Sequence, residues 1–130
     1  MPETRELPRP TDAELEILTV LWARGPSTVR EVHSAIAQRK PAHYTTMLKL
    51  LQIMAEKGLA QRDERQRAHV YKASRPREWT QRQLAGDLLQ RAFGGSASSL
   101  VLGALSAQKA TPEELAEIRR MIEKHEKGES

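Results

Sequence analysis

Apolar residues recur at helical spacing in several stretches of this chain, and caps, prolines and glycines mark the breaks between them. Thr11 opens the first stretch. Thr11 and Glu14 have capping-box spacing, Leu15, Leu18 and Trp22 share one face with Ile17 and Leu21 beside them, and Gly25-Pro26 ends the pattern. Thr28 and Glu31 repeat the box, and Val29, Val32 and Ile36 predict a second, short helix closed by Pro41. A third helix is predicted from Tyr44 to Lys57, with Gly58 as its left-handed C-cap. Met47, Leu50, Leu51 and Met54 form its inner stripe. At about 100° per residue its opposite face holds Thr45, Lys49 and Gln52, flanked by Thr46, Leu48 and Ile53. Such a face lacks the usual Glu/Lys pattern of a solubilising surface.

The pattern then changes period. Leu59 to Arg62 and Ala68 to Lys72 predict two short strands around a polar tip, Asp63 to Arg67. Three short helices followed by a basic hairpin is the order of a winged helix-turn-helix. Beyond Pro76, Trp79, Leu84, Leu88 and Phe93 predict a helix ended by Gly94-Gly95, and Ser96 caps another that carries Leu100, Val101 and Leu105. Thr111-Pro112-Glu113-Glu114 starts a last helix with the stripe Leu115, Ile118 and Ile122. The fold expected is mainly α with a small β-hairpin. It divides into an N-terminal arm (1–10, with three prolines), a winged helix-turn-helix domain (11–75) and a helical region (76–130). That last region is too short to bury its own apolar faces comfortably, and a second copy of the chain is the simplest cover.

Charge sharpens this picture because it is local. Residues 39–75 carry nine Lys/Arg against three Asp/Glu, a balance of +6; residues 1–38 carry four against six and residues 76–130 eight against eight. A basic segment of that kind suits nucleic acid or phosphate. Thr45, Thr46, Lys49 and Gln52 suit base edges in a major groove, and Leu48 suits a thymine methyl. Arg62, Arg65 and Arg67 suit phosphates or an adjacent minor groove. Thr28 with the amides of the second helix suits a phosphate, as do His43 and Tyr44.

Other chemistries find little support. With no cysteine in 130 residues, disulfides, thiolate metal sites and cysteine nucleophiles are excluded, and reducing cytoplasm is the expected compartment. The four histidines form no close pair, so no metal or cofactor is expected. Gly94-Gly95-Ser96-Ala97-Ser98 has neither a nucleophile elbow nor a phosphate-loop ending, so no enzyme is expected. No apolar run is long enough to span a bilayer, and the first residues have no apolar core of a signal peptide.

The stretch Leu15 to Trp22, the run Tyr44-Thr45-Thr46-Met47 through Glu56-Lys57-Gly58-Leu59, and Arg67-Ala68-His69-Val70-Tyr71 resemble the penicillinase-repressor family. The likeness continues through Gly95-Ser96 and Leu100-Val101-Leu102 to Pro112-Glu113-Glu114-Leu115. It implies a homodimeric winged-helix repressor that binds operator DNA of dyad symmetry, with C-terminal helices joining the subunits. It also implies relief by a membrane-bound sensor protease that cuts within those helices. In family members cleaved in this way an Asn-Phe bond follows the Leu-Val-Leu segment, and the matching positions here are Gly103 and Ala104. A copper-responsive branch relies on cysteines near the C-terminus, which this chain lacks. Two other readings remain open at this level: a winged-helix module for protein–protein assembly, and a small-molecule-responsive regulator of the same fold. The +6 segment and the scarcity of aromatics argue against the first, and the second needs a pocket.

Overall fold

The computed structural model describes residues 7–128; the expected N-terminal arm lies outside the described residues as far as residue 6. Helix α1 (Asp12–Arg24) starts at Thr11, whose hydroxyl accepts from the Glu14 amide while the Glu14 carboxylate accepts from the Thr11 amide. Thr28 and Glu31 close the same reciprocal pair at the head of α2 (Val29–Ala37). Each pair satisfies two amides that a bare helix start leaves unpaired. Helix α3 runs Tyr44–Lys57, and Gly58 follows in the left-handed region at φ 86°. The predicted bounds and the predicted cap both hold there.

Two strands, β2 (Ala60–Asp63) and β3 (Val70–Ala73), make the hairpin. A two-residue strand, β1 (Ser27–Thr28), adds to the far side of β3, giving an antiparallel sheet in the order β1-β3-β2. At that length β1 leaves no alternation to read. Helices α4 (Arg77–Ala92), α5 (Ala97–Ala107) and α6 (Pro112–Glu126) complete the chain.

Residues up to Ala85 form one compact unit and those from Gly86 a second. The core of the first joins Ile17, Leu18 and Leu21 of α1, Val32 and Ile36 of α2, Leu51 and Met54 of α3, and Tyr71 of β3. The buried face of α1 is therefore rotated from the one expected. Leu15 and Trp22 are only half-buried, and the Trp22 indole N–H donates to the Arg75 carbonyl at the rim (3.0 Å). Leu50 likewise stays half-buried beside the α3 stripe. The start of α4 packs with this unit: Thr80 is buried, and the Gln83 side-chain amide donates to the Leu7 carbonyl at 2.7 Å. Leu7 itself lies against the core.

In the second unit no described residue is buried. Val101, Leu102 and Leu105 of α5 and Met121 and Ile122 of α6 are exposed, Leu102 to 67%. Phe93 lies so close to Gly103 that a Cβ there would stand 3.2 Å from the ring. Trp79 and Leu84, expected with the helical region, belong instead to the first unit and are half-buried; the Arg75 guanidinium sits 5.0 Å from the Trp79 ring centroid.

Candidate nucleic-acid interface

The outer face of α3 is the polar one that the helical period predicts. Thr45, Thr46, Lys49 and Gln52 are exposed, Leu48 is half-buried between them and the core, and Met47, Leu51 and Met54 point inward. His43 and Tyr44 at the helix start are also exposed. A short helix keeps one face free only if the other is fixed, and α3 is fixed at both ends. At its C-terminus the Lys57 ammonium meets the buried Glu14 carboxylate at 2.8 Å. At its N-terminus His33 of α2 donates from Nε2 to the Ala42 carbonyl (2.9 Å), and its ring meets Tyr44 edge-on at 5.8 Å.

Beside α3 runs a groove of about 470 Å³, walled by Thr28 and Arg30 at the head of α2, by Tyr44, Leu48 and Gln52, and by Arg62, Arg67 and His69 of the hairpin. Six of the expected residues thus come together around one concavity: Thr28, Tyr44, Leu48, Gln52, Arg62 and Arg67. His43, Thr45, Thr46 and Lys49 lie on the exposed ridge of α3 rather than in its wall. Arg65 is on another side of the hairpin, in a concavity shared with Pro26, Asp63 and Lys72. Arg30 and His69 were missed by the sequence. A cation in the first turn after Thr28 was the available signal for Arg30, whereas His69 had none beyond its place next to Ala68.

The wing charges are not all available. The Asp63 carboxylate accepts from the Arg65 backbone N–H (3.0 Å), from Nε (3.0 Å) and from Nη2 (2.7 Å). Arg65 holds the Asp63 carboxyl down at about 2, and the same contact raises the guanidinium. The Tyr71 hydroxyl and Glu64, whose carboxylate lies 2.7 Å from Nε, raise Arg62 in the same way. Among the described residues Arg67 makes no ion pair. At the head of α2 the Thr28 hydroxyl already accepts from the Glu31 amide, and the Glu31 carboxylate sits 3.6 Å from Arg24. Among the described residues no cluster of His, Asp or Glu could hold a metal ion, and no helix is long and apolar enough to cross a membrane.

The profile of the penicillinase repressor family matches residues 10–124. The transcriptional regulator BlaI of Mycobacterium tuberculosis is 40% identical over 67 residues, 51% of this chain and 49% of that protein, so the match spans about half of that relative. The penicillinase repressor of Bacillus licheniformis is 24% identical over 121 residues, 93% of this chain and 94% of that one. Among solved structures, the DNA-binding domain of the repressor BlaI superposes with a TM-score of 0.50 at 23% identity, covering 57% of this chain and 90% of that domain. That likeness shows a shared winged-helix fold. The match of the family profile to nearly the whole chain shows the rest: this protein belongs to the penicillinase repressor family.

Proposed function

We propose that the chain is a sequence-specific transcriptional repressor that binds a dyad-symmetric operator in double-stranded DNA as a homodimer. The observation that carries this reading is the exposed Thr45-Thr46-Lys49-Gln52 face of α3, continuous with a groove whose far wall holds Arg67 and His69. Short polar and cationic groups on an anchored helix suit the donor and acceptor edges of a major groove. In this reading Lys49 and Gln52 read bases with Thr45 and Thr46, and Leu48 touches a thymine methyl. Tyr44, His43, Thr28 and, of the wing arginines, Arg67 hold phosphates, because Arg62 and Arg65 are already paired. The names of its relatives, a transcriptional regulator and a penicillinase repressor, agree with this role.

The homodimer forms through α5 and α6, joined by the end of α4. A unit with no buried residue among those described, exposing Leu88, Val101, Leu105 and Ile122, supports this assignment. Phe93, Leu100, Leu115 and Ile118, on the same stretch of chain, are half-buried. Relief comes from a sensor-linked proteolytic or other signal. If a membrane-bound protease supplies it, cutting falls in α5 around Gly103 and Ala104.

Selection of bound duplexes from a random pool by the full chain tests the reading. Paired, inverted half-sites about one helical turn apart, or a multiple of it, are expected. Enrichment of no sequence, or of a single unpaired half-site, would overturn it.

A further inference from the structure

The wing carries more positive charge than it presents. Arg65 has a side chain that is 87% exposed, yet Asp63 grips its backbone N–H and the Nε–Nη2 edge of its guanidinium. Surface ion pairs are ordinarily weak because two long side chains must be ordered at once. This one is different in kind: the partners are two residues apart, the acid is short, and a backbone amide locks its orientation. The carboxylate also takes two of the groups a phosphate would otherwise use, Nε and Nη2, and neutralises the cation beside them. The pair lines the concavity shared with Pro26 and Lys72, while Arg67 and His69 line the groove of α3. The wing thus separates a paired arginine from an unpaired one.

Resting on the DNA-binding reading above, we propose that Asp63 is a specificity-determining residue, which holds Arg65 off the phosphate backbone and so limits attraction to DNA of any sequence. Each cation that neutralises a phosphate releases a counterion and adds affinity with no regard to sequence. A repressor must find its operator among a vast excess of other sites, so the ratio of specific to non-specific binding matters more than affinity alone. An arginine tethered to an acid keeps its place in the wing without adding to that background.

The test uses the full chain and a fluorescent 30-base-pair duplex of random sequence, titrated from about 50 to 200 mM salt. Asp63→Asn is expected to bind this duplex several-fold more tightly, with a log K against log salt slope steeper by about 0.9, the value for one additional phosphate contact. The double variant Asp63→Asn/Arg65→Ala is expected to lose that gain. Unchanged affinity and slope in Asp63→Asn would overturn the inference, as would a gain that survives in the double variant. Absence of any salt-dependent binding by the unsubstituted chain would instead overturn the DNA-binding reading itself.

Discussion

Glu14 and Lys57 join the head of the first helix to the tail of the third, with Nζ and Oε2 2.8 Å apart and the carboxylate side chain only 2% exposed. The same carboxylate accepts from the Thr11 amide, so one residue caps α1 and anchors the helix that carries the exposed polar face. Lys57→Met should leave that buried acid short of its strongest partner. A loss of about 1.5–3 kcal/mol is expected, measured by urea unfolding of the full chain.

Acid should weaken the same contact. Burial pushes the Glu14 carboxyl up, but the Lys57 ammonium and the Thr11 amide outweigh it, and the net is below its ordinary 4.5. The unfolded chain therefore binds more protons in that window, so the contribution is complete above about 4.5 and is lost as pH falls through the lower folded value. Glu14→Gln should flatten the acid limb of a stability–pH curve below about pH 5 relative to the unsubstituted chain. An unaltered limb would count against the anchor.

Substitutions at the interface should divide by what they touch. Lys49→Ala is expected to weaken operator binding by about 1–3 kcal/mol and to relax preference at one position of each half-site. Arg67→Ala should weaken all sequences alike and lower the salt slope by about 0.9. Titrations against selected and scrambled duplexes separate the two behaviours.

For assembly, Leu102→Glu places a charge on the most exposed large hydrophobic residue of α5. It should convert the full chain from dimer to monomer in sedimentation and reduce operator affinity through lost avidity while leaving the α3 face intact. A chain ending at Ala85, which retains the α4 residues packed on the first unit, should be monomeric as well.

Gly103 bears on both packing and induction. Phe93 occupies the space a side chain would need, so Gly103→Val should lower the melting temperature despite the better helix propensity of a non-glycine residue. A protease pocket shaped for a large aromatic would lose much of its burial against Ala104. Mass spectrometry of the repressor from induced cells should accordingly find either a cut at another nearby bond or an intact chain.

Local features of this protein were legible in the sequence because they are set by neighbours. The reciprocal caps at Thr11 and Thr28, the bounds of α3 and the left-handed Gly58 all follow from residues within one turn. Features set across the chain were not. Glu14 read as a cap and nothing more, since its partner lies 43 positions away. Strand β1 was too short to show a period, and only its pairing with Val70 and Tyr71 defines it. Charge counting found the basic segment but treated Arg62, Arg65 and Arg67 alike. Which of them is free depends on Asp63 and Glu64 turning back onto their neighbours, and a tally of charges contains no directions.

Backbone amide shifts of the labelled full chain, titrated with the selected duplex, report where DNA meets the protein. The largest changes are expected in residues 43–53 and 67–69, with α6 little affected. Changes concentrated elsewhere, with the Thr45-to-Gln52 face unmoved at saturation, would contradict this interface.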